Sequence, residues 1–155
     1  MKDNRPKWSA GEIVSAYKIE KKSMGEVVNS SSHAFNYIRP IYGDVLNHKE
    51  MMYAIYMSSN NKIIGHSMIS SGGVSSCVCD PKIVFQDALM CNATAFILVH
   101  NHPSGNLKPS SSDDNMTRKI KLGGELLDIK MLDHIIIAEG NYGCVYFSYA
   151  DEGKL

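Results

Sequence analysis

A mixed β-sheet flanked by helices, an α/β fold, is what this sequence predicts, and three observations carry the prediction. The run Ala95-Phe96-Ile97-Leu98-Val99 is unbroken apolar chain, as a central strand covered on both faces requires. Two helix starts stand on either side of it, at Asp80-Pro81 and at Ser110-x-x-Asp113. Further upstream, two apolar segments separated by Ser58-Ser59-Asn60-Asn61 read as a β-hairpin.

Taken in order, residues 1–10 are polar and predict a loose end. Ile13 to Ile19 reads as a strand. Ser30-Ser31-Ser32 is a cap signal for a short helix, His33 to Ile38, ended or kinked near Pro40. Residues 1–45 are therefore expected to form an N-terminal extension packed on a main domain, 46–155. Glu50 opens the first hairpin strand, Met51 to Met57, and Lys62 to Ile69 returns. Ser70 to Gly73 breaks the pattern, and a short strand, Val74 to Val78, follows. Aspartate at a cap and proline at the first helical position start a helix over 81–92, with Val84, Ala88 and Cys91 on one face and Leu89 beside them. Thr94 to His100 is the central strand. A loop over 103–112 leads to a second helix carrying Met116, Ile120, Gly123 and Leu127 at helical spacing. Met131 to Ala138 is a buried strand, and Tyr142 to Ser148 is the last. No internal repeat interrupts this order.

Composition narrows the class. A chain of 155 residues with 44% hydrophobic and 21% charged residues suits one soluble globular domain. A formal net charge of zero argues against a broad nucleic-acid surface, which usually shows a basic excess. The small basic groups Lys21-Lys22 and Arg118-Lys119-x-Lys121 read as solvated faces. The four cysteines, Cys77, Cys79, Cys91 and Cys144, form no C-x-x-C pair. No signal peptide and no membrane-length apolar run are visible, so a reducing cytoplasm is expected, with free thiols and no membrane contact.

The chemistry gathers at His100-Asn101-His102-Pro103-Ser104-Gly105. Side chains two apart on a strand point the same way, so His100 and His102 form a pincer for a metal ion. Pro103 ends the strand, and Ser104-Gly105-Asn106 turns the chain. Asp113 follows His102 by eleven residues, enough to loop back with a carboxylate. Two imidazoles and one carboxylate leave a tetrahedral zinc one open position for water. Asp113 has a second reading: Ser110 and Asp113 also have capping-box spacing, and both roles are compatible. Asp114 is the adjacent fallback. Asn101 alternates away from the ligands and reads as structural. Asp133 and His134 fall on opposite faces of their strand, so at most one of them faces the site; His134 reads as a core residue. His33, His48 and His66 match no pattern, and Trp8 and the tyrosines read as packing.

The run H-N-H-P-S-G-x3-P-S-x2-D resembles the motif of the JAMM, or MPN-type, metalloproteases, and more narrowly its RadC-like bacterial branch. Ser71-Gly72-Gly73, Asp80-Pro81, Ala88-Leu89 and Leu132-Asp133-His134 extend the likeness from about Glu50 to the C-terminus. The resemblance implies a cytidine-deaminase-like α/β sandwich. It implies zinc held by His100, His102 and Asp113. It implies Glu50 as the carboxylate that handles the proton of the attacking water, and Ser110 as a hydroxyl donor to the developing oxyanion. Cleavage of a peptide or isopeptide bond in a peptide or protein substrate is then the expected activity. RadC-like proteins also carry a helical DNA-binding-type module ahead of this domain, and the first 45 residues are too short for one. No insertion offers a grip for a ubiquitin-like partner. The competing classes are a DNA-repair or mobile-element accessory protein, against which the neutral charge counts, and a metal module without catalysis, in which Glu50 would have no use. A deaminase would need a P-C-x-x-C element, which is absent.

Overall fold

The computed structural model describes residues 25–72, 79–141 and 143–155. The expected strands at 13–19 and 74–78, together with Trp8 and Cys77, lie outside the described residues.

Among the described residues, five strands form one mixed sheet in which the order across the sheet is second, first, third, fourth and fifth of the chain. They are β1 Met51–Met57, β2 Ile63–Ser71, β3 Ala95–Asn101, β4 Lys130–Gly140 and β5 Gly143–Ser148. β3 and β4 run parallel, and the other neighbours are antiparallel. Three α-helices cover the sheet: α1 Ser31–Tyr42, α2 Pro81–Met90 and α3 Ser111–Leu126. The α/β architecture read from the sequence is the one observed.

All seven residues of β3 are buried, because the sheet is covered on both faces there. Its odd positions, including Ile97 and Val99, pack with Ile38, Tyr42 and Leu46. Its even positions, Phe96 and Leu98, pack with Val84 and Ala88 of α2 and Ile120 of α3. Each such side chain contributes about 1.5–3 kcal/mol of transfer free energy. The strand that carries His100 is thus packed on both faces.

Two helices depart from the sequence expectation. α1 is capped by Ser30, whose side chain accepts from the His33 backbone N–H, and it carries Pro40 inside its last turn rather than stopping at Ile38. It continues to Tyr42, because a proline in the last turns forfeits only one intrahelical bond while Ile38 and Tyr42 gain burial. In α3 the buried positions are Thr117, Ile120 and Gly124 rather than the stripe through Gly123 and Leu127. The reason is a close approach. A Cβ at Gly124 would stand 2.4 Å from the Ile129 carbonyl oxygen and 3.4 Å from the Phe96 ring. Gly124→Ala is therefore expected to destabilise the fold by about 1–3 kcal/mol through overpacking, although alanine favours helix. Thermal unfolding of the variant checks this.

Among the described residues no helix is long and apolar enough to cross a membrane. Cys91 and Cys144 are in no disulfide.

Candidate metal centre

The site is built where β3 runs out. His100 is its second-last residue, and the ladder continues one step beyond it, since the His102 N–H donates to the Ile137 carbonyl at 2.9 Å. Both imidazoles therefore stay on one face. The chain then reverses through a turn in which the Gly105 N–H donates to the His102 carbonyl at 3.1 Å. Gly105 has φ 79°, a conformation open to glycine at little cost.

The third group comes from the start of α3. Ser110 is the N-cap, and its Oγ accepts from the Asp113 N–H at 3.2 Å. The Asp113 carboxylate reaches back to accept from the Ser110 N–H at 2.7 Å. The capping box is complete, and the same carboxylate faces the histidines: its oxygens lie 3.3 Å from His100 Nε2 and 3.7 Å from His102 Nε2. The capping reading of Asp113 is observed, and it is compatible with the ligand reading, because a capping box fixes the side chain that it aims. Asp114 faces elsewhere and accepts from the Tyr149 hydroxyl at 2.8 Å.

The donor set fits a metal ion. One ligand atom each from His100, His102 and Asp113 lies within 4.8 Å of the others. His102 Nδ1 meets the Asn106 carbonyl at 2.5 Å. A carbonyl only accepts, so Nδ1 carries the hydrogen and the Nε2 lone pair faces the site. The two Nε2 atoms stand 2.9 Å apart, against about 3.3 Å for two imidazoles on a tetrahedral zinc. A shift of a few tenths of an ångström would admit the ion.

Without a metal, the charges answer one another. Burial opposes a charged His102. Hydrogen bonds to Asp113 and the Asn106 carbonyl, with the charges of Asp113 and Glu50, outweigh it and raise its pKa. Burial also opposes an ionised Asp113. The hydrogen bonds from His100 and His102, the charge on His100 and the Ser110 hydroxyl outweigh it and hold the carboxyl well below the usual carboxylate range.

Glu50 lies outside the three-ligand group, just ahead of β1. Met52 pairs with His100 in the antiparallel β1–β3 ladder. Extended by two residues past the end of the ladder, that register would set Glu50 opposite His102. Glu50 is half-buried, and its charge is felt at His102. The segment is held from behind by Asn101, which is fully buried. Its Oδ1 accepts from the Met51 N–H at 2.7 Å, and its Nδ2 donates to the Leu46 and Lys49 carbonyls at 2.6 and 2.8 Å. Asn101 is structural, as expected, and it grips the chain on both sides of Glu50. Asn101→Leu is expected to cost about 1–3 kcal/mol for each backbone group left without a partner, read as a drop in urea midpoint.

Ser110 donates its hydroxyl hydrogen to Asp113 Oδ2 at 2.6 Å. Asp133 points to the opposite side of β4, where it accepts from Ser148 Oγ at 2.6 Å and from the Ala150 N–H at 3.0 Å. His134 faces the site: its Nε2 is 2.8 Å from His100 Nδ1. Burial, and then the charge on His100, push its pKa well down. Sequence reasoning left His134 among core residues and Tyr149 among packing residues. Strand parity separated Asp133 from His134, but only the β3–β4 pairing, with Leu98 beside His134, says which of them faces the ligands.

A buried sheet end that presents two imidazoles, joined by a carboxylate from the next helix, defines an α/β domain with a candidate mononuclear metal site. The RadC-like JAB domain family matches residues 28–154, and the chain belongs to that family. It is 39% identical to a UPF0758 protein of Flavobacterium johnsoniae over 93% of this chain and 63% of that protein. It is 33% identical to a UPF0758 protein of Geotalea uraniireducens over 95% of this chain and 62% of the relative. A UPF0758 protein of Methanosarcina mazei is 41% identical over 68% of this chain and 44% of its own length. The chain thus spans a little over three fifths of the first two relatives. Their shared name states no activity.

Proposed function

We propose that this chain is a zinc-dependent hydrolase that cleaves a peptide or isopeptide bond. The observation that carries the reading is the convergence of His100, His102 and Asp113 at the end of β3, with Glu50 just ahead of β1 and its charge felt at His102. A structural site has no need of a further carboxylate beside an incomplete ligand set; a hydrolytic one does.

His100, His102 and Asp113 would hold the ion and leave one position open. Zinc, when bound, brings the pKa of a coordinated water to about 7 and polarises a carbonyl oxygen. Glu50 serves as the general base, since its carboxylate takes a proton from the attacking water and returns it to the leaving nitrogen. Ser110 is placed to donate to the oxyanion once its hydroxyl turns away from Asp113 Oδ2. Asn101 keeps the Glu50 backbone in place while these protons move. The substrate is a peptide or protein segment laid across the open end of the sheet.

Metal content measured by mass spectrometry, wild type beside His102→Ala, tests the first requirement. About one zinc per chain, lost in the variant, is expected. A wild-type protein that takes up no added zinc overturns the reading. Peptide-library profiling of the loaded protein, with chelator as the control, tests the second.

A further inference from the structure

We propose that His134 is a positioning residue of the metal centre: with Thr117 it holds His100 as the Nδ1–H tautomer, so that the Nε2 lone pair faces Asp113 and His102. The role rests on the metal-centre reading above, but the tautomer can be tested without any metal.

It begins with a single hydrogen atom. Thr117 has one hydroxyl hydrogen, and Oγ1 donates it to the Asp113 carbonyl at 2.6 Å. A carbonyl cannot donate, so the direction is set. Oγ1 is also 2.6 Å from His134 Nδ1. Its own hydrogen is already committed, so the oxygen accepts here and the hydrogen sits on His134 Nδ1. A neutral imidazole has one N–H, which leaves His134 Nε2 as an acceptor. That atom meets His100 Nδ1 at 2.8 Å, and His100 Nδ1 therefore donates. In the neutral ring His100 Nε2 is left with its lone pair facing the site, and the hydrogen with which it meets Asp113 in the metal-free fold is the one that a metal would displace; Nε2 is the atom 2.9 Å from His102 Nε2 and 3.3 Å from Asp113.

If Thr117 gave its hydrogen to His134 instead, every bond would reverse. His134 would donate to His100 Nδ1, and the hydrogen of His100 would block the ligand position. The Asp113 carbonyl decides between the two states. Asp113 thus acts twice, through its carboxylate in the ligand set and through its backbone in the choice of tautomer.

The relay is almost closed to water. His134, His100 and Thr117 are exposed by 0, 2 and 3%. Tyr149 stacks on His134 with centroids 4.9 Å apart and planes 7° apart, which holds the ring at the angle that the two bonds need. A buried network with each member paired has no low-cost alternative arrangement. His102 reaches the same tautomer by a shorter route, through the Asn106 carbonyl.

The experiment uses the full chain labelled with 15N-histidine, stripped of metal by chelator, at pH 8. Long-range 1H–15N correlation spectra report which nitrogen carries the hydrogen. Nδ1–H is expected for both His134 and His100. Nε2–H on His134 overturns the proposal. Thr117→Val keeps the shape and removes the hydroxyl. It is expected to shift His134 away from the pure Nδ1–H form and to weaken zinc binding about 10- to 100-fold in chelator competition. Thr117→Ser is expected to restore both. A Thr117→Val protein with unchanged spectra and unchanged affinity overturns the proposal, with metal-free thermal unfolding as the check that the variant is folded. A wild type that takes up no zinc removes the metal-centre reading instead, and the spectra then judge the His134 relay by themselves.

Discussion

Glu50→Gln is expected to lower turnover of the zinc-loaded chain by about 10²- to 10⁴-fold, the range for a lost general base, while leaving zinc content at the wild-type level. The two halves come from separate parts of the site. Glu50 is not among the three groups that converge on the ion, so its amide takes no ligand away. Gln keeps the size and the backbone of Glu, and the Gly72 N–H still donates to the residue 50 carbonyl, as it does at 2.9 Å in the wild type. What the amide cannot do is accept a proton at neutral pH. Single-turnover cleavage of the best library peptide, with metal content measured on the same sample, checks both halves. Full activity in the variant would leave the chain a hydrolase in which this carboxylate has no part. Loss of zinc in the variant would instead place Glu50 among the ligands.

Asp113→Asn separates the two duties of Asp113. The amide oxygen can still accept from the Ser110 N–H, so α3 keeps its cap, but a neutral amide is a poor partner for zinc between two imidazoles. Zinc affinity is expected to fall by at least the 10- to 100-fold typical of a lost outer-shell partner, roughly the lower bound for a direct ligand. Isothermal titration with zinc measures the affinity, and circular dichroism should show the helix content unchanged. Acidity acts on the same site with a defined sign. The His102 pKa is raised and that of Asp113 is lowered in the metal-free fold. The imidazole therefore contributes stability that is complete below its unfolded value, about 6.5, and is lost as pH rises through the folded value. The carboxylate contributes stability that is present above the usual Asp value and is lost only as pH falls below it. Between pH 6 and pH 8 only the imidazole changes, so the contribution of this pair to the melting temperature of the metal-free protein is expected to be larger at pH 6. Zinc and the proton compete for His102 Nε2, so the increment from added zinc runs the other way and is larger at pH 8. Thermal melts at both pH values, with and without zinc and with His102→Ala as the reference, measure both trends.

The group of residues that could hold an ion was legible because it is local. His100 and His102 are two residues apart on a strand, and Ser110 and Asp113 are a capping box, so alternation and cap spacing together bring three donors to one end of β3. The hairpin, the two later helices and the central strand were legible for the same reason, since each is written in a short-range pattern of apolar residues, caps and turn residues. Where local pattern met a tertiary contact, it gave way. α1 runs through Pro40 because Tyr42 has a buried place to fill. The inner stripe of α3 passes through Gly124 because only a missing Cβ lets the Ile129 carbonyl come so near.

The sequence by itself determined the α/β class, the element order and the residues able to hold an ion. The tertiary structure alone decided what surrounds them. The partners of Asn101 lie 50 to 55 residues away, and His134 meets His100 across 34 residues. No periodicity spans such distances. These contacts exist because β1 flanks β3 in one register and β4 flanks it with a one-residue irregularity between Phe96 and Ile97, and a further shift of one residue in the β4 pairing would turn His134 to the opposite face of the sheet.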